Sequence, residues 1–409
     1  MKADSVQFAE NLHQRLYCPK DRRIAVCLAT DSWEPSGVGE HMLELAGALR
    51  DWGRISFVCP PSPMGQLCLD RAARLGLDVL ALDWSQPRAA ERFCKWIAER
   101  QSDICHIHAG IVWEGLGVVA AARKSGIPIV LRTEHLPYMS MDNRKRASYE
   151  NAIQHVTKII CVSREARDSF VGAGIPSRLV TTIRNGVAAP SPRYGGNRIR
   201  ASLGLDAKAL IVLTVARYTE QKDHRRLLDA IPAVLTREPR ARFVWVGTGP
   251  LEDTMRRTVH ERRLGGHVIL LGQRTDVPDL IAAADLFALP SRFEGLPLAV
   301  LEAMAGGLPV VGTCVCGIAE AVDDGVTGLL VEPGNTDALA AAISELLANG
   351  DRAALMGIRG RARVQQAFSL DRMVREIVTL YRGLLSPFSK LNSRETESYH
   401  GNHAAGANP

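Results

Sequence analysis

The stretch from Asp285 to Thr313, DLFALPSRFEGLPLAVLEAMAGGLPVVGT, decides the fold class of this chain. Leu286 to Pro290 is a short apolar run of the kind that forms buried parallel strands. The polar turn Ser291-Arg292-Phe293-Glu294-Gly295 follows, and Pro297 stands where a first helical residue belongs. The helix expected over Leu298 to Ala305 is apolar apart from Glu302. Gly306 and Gly307 stop it, and Pro309-Val310-Val311 opens the next strand. Strand, loop, helix and strand in that order make one unit of a parallel α/β sheet.

The chemistry of this unit lies in its two carboxylates. Glu294 sits on the loop at the carboxyl end of the strand, and Glu302 lies on the helix that follows. A charge in an apolar helix costs free energy unless it meets a partner. Vicinal sugar hydroxyls are one such partner, because a single carboxylate accepts from both. The helix start beside Gly295 and Leu296 offers backbone N–H groups and the positive end of a dipole, which suits phosphate. The plain alternative is a solvated loop glutamate and a surface helix glutamate.

Working outward, the same alternation repeats along the chain. Ile24–Thr30, Ile55–Cys59, Val79–Leu82, Ile104–Ile107, Pro128–Arg132, Lys158–Val162 and Val180–Arg184 read as strands, with helical patterns such as Glu40–Arg50 and Asn143–His155 between them. Residues 187–197 hold proline and glycine without periodicity and read as an interdomain linker. A second series follows in Leu210–Ala216, Phe243–Gly247, Val268–Gly272, Leu286–Pro290, Pro309–Thr313 and Gly328–Glu332. The expectation is α/β: two Rossmann-like, doubly wound parallel-sheet domains facing across a cleft, with ligands at the strand ends. The expected division is a polar lead-in over 1–22, domains over 23–190 and 191–368, a last amphipathic helix over 369–385, and a disordered tail over 386–409.

Composition narrows the class. The 409 residues leave room for two ordinary domains, and 46% hydrophobic with 23% charged residues matches a soluble globular chain. The net charge of +6 is spread evenly, with no basic stripe for nucleic acid. The nine cysteines are scattered, and Cys314-Val315-Cys316 has no second pair to complete a zinc site, so they read as reduced thiols. No apolar run reaches the ~18 residues of a membrane span, and the start, MKADSVQFAE, lacks the apolar core of a signal peptide.

The run E-G-L-P-L-x-x-x-E from Glu294, with A-M-A-x-G-x-P-V-V from Ala303, resembles the retaining glycosyltransferases of family 4, which have the GT-B fold. The resemblance spans residues 24 to about 385 and is stronger in the second half. It implies that the last helix crosses back to the first domain. It also implies that Glu294 positions the donor sugar, Glu302 the ribose, and Gly295 and Leu296 the phosphates. Arg217 and Lys222, in ARYTEQKDH, would bind and neutralise the diphosphate; a fixed guanidinium and a mobile ammonium beside a strand end suit that task, and two solvated cations are the alternative. Gly247, in Gly247-Thr248-Gly249-Pro250, would lie near the nucleotide and Arg274 near its base. In the first half, His135 matches the histidine that faces the donor sugar, and Gly37 a glycine that approaches the donor phosphate. Three positions depart from the pattern: Ser36 and Cys316 replace glycines, and Glu134 departs from the usual spelling before the histidine. His106 and His108 read as structural or cleft-lining, and Arg144-Lys145-Arg146 as a solvated helix face or a contact for a lipid phosphate.

The expected function is therefore a retaining transfer of a sugar from a UDP- or GDP-linked donor to an acceptor hydroxyl, in polysaccharide or glycolipid assembly. His135 and Glu294 are the expected catalytic residues. No metal cofactor is expected, since no D-x-D motif is present and the cationic pair carries the charge a metal would neutralise. The expected partners are the donor and an acceptor carried on lipid, met at the inner face of the cell membrane by an otherwise cytoplasmic protein. The alternatives are a nucleotide-sugar epimerase or phosphorylase on the same fold, and a non-catalytic nucleotide-sugar binder.

Overall fold

The computed structural model describes residues 23–401, with side chains through residue 386. The chain divides into two compact units. The first holds Met1–Cys161, Gly174–Ile183 and Val374–Pro409, and the second holds Val162–Ala173 and Arg184–Met373.

The first unit is built on seven strands: β1 (Ala25–Ala29), β2 (Arg54–Cys59), β3 (Asp78–Ala81), β4 (Ile104–Ala109), β5 (Ile129–Glu134), β6 (Lys158–Cys161) and β7 (Val180–Thr182). They lie in the order β3-β2-β1-β4-β5-β6-β7. The second unit has six: β8 (Leu210–Val215), β9 (Ala241–Val246), β10 (Val268–Leu270), β11 (Leu286–Leu289), β12 (Val310–Thr313) and β13 (Gly328–Val331). Their order is β10-β9-β8-β11-β12-β13. Every strand pairing in both sheets is parallel. Both sheets thus wind outward in two directions from a central pair, β1/β4 in one and β8/β11 in the other, and such a reversal opens a crevice at the strand carboxyl ends.

The near-continuous apolar runs have a simple cause: helices cover both faces of each sheet. Along β9 the side chains alternate between two cores. Phe243 and Trp245 enter a cluster with Leu227, Ile231 and Met356, while Val244 and Val246 enter one with Phe287, Leu301 and Met304. Each such buried side chain contributes about 1.5–3 kcal/mol.

Four local expectations are corrected. Pro297 precedes the helix Leu298–Gly306 as its cap, with φ −69° and ψ 122°, rather than being its first helical residue. The helix after β1 starts at Ser36, so Ser36 to Gly39 form its first turn instead of a separate loop. Residues 187–197 lie wholly within the second unit. Their backbone finds fixed partners there: Val187 N–H donates to the Phe368 carbonyl, and the Arg193 and Tyr194 N–H groups donate to the Asp279 carboxylate. A Pro- and Gly-rich stretch held this way is ordered although its sequence carries no periodicity. The last helix is Leu370–Gly401, running on through residues read as tail, because polar composition alone does not separate a solvated helix from a coil. Residues 1–22 and 402–409 lie outside the described residues. The last helix begins in the second unit and continues in the first, where Tyr381 is fully buried against Trp52 and His106.

Candidate active site

The central pair of the second sheet, β8 and β11, brings two loops side by side. The Arg292 N–H donates to the Gln221 carbonyl at 2.8 Å, and the Gln221 side chain donates to the Phe293 carbonyl at 3.0 Å. Across this seam Lys222 Nζ lies 2.5 Å from Glu294 Oε1, and the Ser291 hydroxyl donates to the same oxygen at 2.6 Å. Gln221 also reaches Glu294 Oε2 at 3.3 Å. Glu294 is only 3% exposed, so its charge is taken from water and balanced by this shell of donors. The ammonium has three donors and the carboxylate uses one, which leaves Lys222 able to meet a second anion.

Arg217 stands on the same loop as Lys222, five residues before it. Its Nε is buried without a hydrogen-bond partner. A buried guanidinium nitrogen left open is costly, and an anionic oxygen is the group that satisfies it best. No described hydrogen bond uses the N–H of Gly295 or Leu296, whereas the Leu296 carbonyl accepts from Asn185 at 2.7 Å. Leu296 is itself buried, so only its backbone faces chemistry. Glu302, half-buried on the helix Leu298–Gly306, is not a free carboxylate.

Gly247 and Gly249 have a reason that the sequence did not reveal. Both hold positive φ, 139° and 154°, and a Cβ on Gly247 would stand 2.1 Å from the Ala216 carbonyl oxygen. The turn is glycine because it packs on the backbone that leads to Arg217. Gly37 differs, since a Cβ there would meet nothing within 4 Å. Arg274 is held locally by a two-pronged pair with Asp276, at 2.8 and 2.6 Å. Cys316 opens a short helix and buries its thiol near the Ser163 hydroxyl and the Gly295 carbonyl, and burial raises its pKa to about 11. The adjoining Gly317 packs so tightly under Gly295 that a Cβ would fall 1.9 Å from that carbonyl oxygen.

The first unit gathers a second group of residues at its own central strands. His106 is a structural residue: its nitrogens meet the Tyr381 hydroxyl and the Thr133 hydroxyl, each at 2.7 Å. His108 Nδ1 lies 3.3 Å from His135 Nε2, and His41, on the helix after β1, closes the group. Burial, reinforced by the neighbouring imidazoles, holds His108 and His135 well below the ordinary histidine pKa and His106 at about 3, so all three are neutral at neutral pH. Glu134 is explained by its surroundings. It is buried against Arg132, 2.5 Å away, and the Tyr149 hydroxyl, and it fixes the end of β5 from which His135 follows. Arg144, Lys145 and Arg146 form an exposed helix face, with Arg146 paired to Glu150 and Lys145 over the Trp113 ring. The described cysteines are all free thiols.

Sequence reading missed His41, His224 and Tyr218. His224 is buried between Tyr218 and Trp245 with both nitrogens unpartnered, and its pKa falls to about 3. Its place two residues after Lys222 in the chain was the available signal for it, as Gly39-Glu40-His41, running from the first helical turn into the second, was for His41.

Two doubly wound sheets, each with a loaded switch point, and a last helix shared between them define a GT-B glycosyltransferase. Residues 35–189 match the model of "Glycosyltransferase Family 4" and residues 209–349 that of "Glycosyl transferases group 1". The chain belongs to glycosyltransferase family 4. It is 28% identical over 355 residues to a GDP-mannose-dependent alpha-(1-6)-phosphatidylinositol monomannoside mannosyltransferase of Mycolicibacterium smegmatis, covering 82% of this chain and 92% of the relative. It is also 28% identical over 305 residues to an Escherichia coli UDP-Gal:alpha-D-GlcNAc-diphosphoundecaprenol alpha-1,3-galactosyltransferase, covering 70% and 78%. Among solved structures, Anabaena HepE in complex with UDP-glucose superposes with a TM-score of 0.78 at 20% identity, over 88% of this chain and 100% of that one.

Proposed function

We propose that the protein transfers a hexose from a UDP- or GDP-linked donor to a hydroxyl of a lipid-carried acceptor, with retention at the anomeric carbon. The observation that carries this reading is the β8/β11 seam, where Lys222 meets Glu294, on a loop that also carries Arg217 with its Nε buried and unpartnered. The reading assigns the diphosphate to Arg217 and Lys222, aided by the N–H groups of Gly295 and Leu296. Glu294 takes the hydroxyls of the transferred sugar, and Glu302 the ribose. Arg274 serves the base side, Gly247 shapes the turn against the nucleotide, and Gly37 and His135 serve the donor from the first unit. The departing diphosphate keeps its negative charge on two cationic side chains and the loop amides, so transfer needs no divalent ion. Catalysis then rests on electrostatic stabilisation and positioning. The acceptor class is supported by the relatives, one named for a phosphatidylinositol mannoside and one for a diphosphoundecaprenol-linked sugar. No described helix is long and apolar enough to cross a membrane, so the contact with lipid is proposed to be peripheral.

A thermal-shift panel of UDP, GDP, ADP and their sugars tests the donor. A nucleotide at 100 times its Kd stabilises by about 2.7 kcal/mol, and the true base should stand apart from the others. Transfer to lipid-carried acceptors should persist in EDTA. Stabilisation by none of the panel would overturn the donor assignment. Phosphorolysis, or release of an epimer without acceptor, would replace transfer with one of the other chemistries.

A further inference from the structure

We propose that His41, His108 and His135 form a binding site for a borderline first-row transition-metal ion of the zinc class. The site arises from the winding of the first sheet. His108 is the penultimate residue of β4, and in the parallel register it stands opposite Thr133 of β5. His135 lies two residues beyond Thr133, on the same side of the sheet because side chains alternate with a period of two. The helix Ser36–Leu49 follows β1, the other neighbour of β4, and lays His41 over that side. One donor atom from each ring falls within 4.8 Å of the others.

The geometry suits coordination. Two nitrogens bound tetrahedrally to one zinc ion at about 2.0–2.1 Å stand roughly 3.4 Å apart. His108 Nδ1 and His135 Nε2 are 3.3 Å apart. His108 is fully buried; its Nδ1 shares an imidazole–imidazole hydrogen bond with His135 Nε2, which a bound ion would replace, and its Nε2 has no hydrogen-bond partner. His106 is excluded as a ligand, because both its nitrogens are engaged by hydroxyls. Its ring instead backs His108 at 4.3 Å.

Ligand type selects the ion. Three imidazoles with no carboxylate in the cluster suit zinc, cobalt, nickel or copper and disfavour magnesium and calcium, which want oxygen. Three protein ligands leave a fourth position open to water or to an oxygen of a bound molecule. The ion is distinct from the diphosphate charge carriers of the second unit. It would occupy a nitrogen of His135, so where His135 serves the donor sugar the ion acts against transfer.

The test uses full-length protein stripped with EDTA and titrated with Co(II) and with Zn(II). Tetrahedral Co(II) bands in the visible spectrum, one equivalent of zinc by calorimetry, and a raised Tm with zinc are expected. His41→Asn and His108→Asn should each weaken zinc binding by at least about tenfold, while Cys314→Ser leaves it unchanged. Circular dichroism without metal checks that each variant folds, and His41→Asn carries the test if the more deeply buried His108→Asn does not. Wild type that takes up no equivalent of either ion, or folded His41→Asn that binds as tightly as wild type, overturns the site. None of these readouts requires a glycosyl donor, so the outcome is independent of the proposed transfer.

Discussion

The Lys222–Glu294 pair couples stability to catalysis at one point. Removing one member of a nearly buried pair leaves the other charge uncompensated, at a cost of about 3–5 kcal/mol. Lys222→Ala should therefore lower the Tm of the second unit and also lower kcat by about two orders of magnitude or more, the loss of one transition-state donor. The double variant Lys222→Ala with Glu294→Gln should regain most of the stability and none of the turnover. Calorimetry and initial rates on the same preparations separate the two effects, and a Lys222→Ala enzyme within threefold of wild type would remove Lys222 from the chemistry. Arg217→Lys tests the neighbouring cation. It keeps the charge and gives up the planar fork, so nucleotide affinity should fall by at least about tenfold with little change in melting. The roles of Arg217 and Lys222 were legible in the run ARYTEQKDH because they follow an apolar strand. That Lys222 rests on Glu294, 72 residues later, was not, since the contact exists only because β8 and β11 are neighbours.

At the scale of the element, glycines that look alike separate into two kinds. Gly247 holds φ 139° and faces the Ala216 carbonyl, so Gly247→Ala must distort the end of β8 or the turn itself. A loss of about 2–4 kcal/mol is expected, with kcat falling because Arg217 moves with that backbone. Gly37 sits in open space on the first turn of its helix. Gly37→Ala should leave denaturant stability within about 0.5 kcal/mol of wild type. If the donor phosphate approaches there, KM for the donor should still rise. An unchanged KM would detach Gly37 from the site. In the sequence both residues are simply glycines following a strand, and only the atoms opposite them distinguish a packing demand from a clearance for ligand.

Across the whole molecule, buried neutral histidines set the acid limit. His106 in the first unit and His224 in the second each have a folded pKa near 3 against an ordinary value of 6.5. The unfolded chain therefore binds these protons first. The stability these two neutral rings contribute is complete above about pH 6.5 and is lost as pH falls toward 3. At pH 5 each group should cost about 2 kcal/mol. His224→Phe keeps the aromatic packing against Tyr218 and Trp245 and removes the titration, so the second unit should lose about 2 kcal/mol less between pH 7.5 and 5. Denaturant melts at the two pH values measure the difference. Equal acid sensitivity in wild type and His224→Phe would show that His224 is not a source of the loss.

The order of strands and helices, the parallel winding of both sheets and the family were carried by the chain itself, because they depend on local periodicity, on turn residues and on motifs of fixed spacing such as Glu294 to Glu302. Three things required the folded molecule. Gly186 and Val187 are pinned to the Phe368–Leu370 segment, which makes an apparent linker part of the second unit. Glu134, an oddity in the sequence, is the buried partner of Arg132 and Tyr149. His41, His108 and His135 are separated by 67 and 27 positions and meet only where β1, β4 and β5 lie side by side. Periodicity records which face of an element is buried. It carries no record of which distant side chain lies against that face, because that partner is chosen by strand order, and strand order is settled by packing the whole sheet.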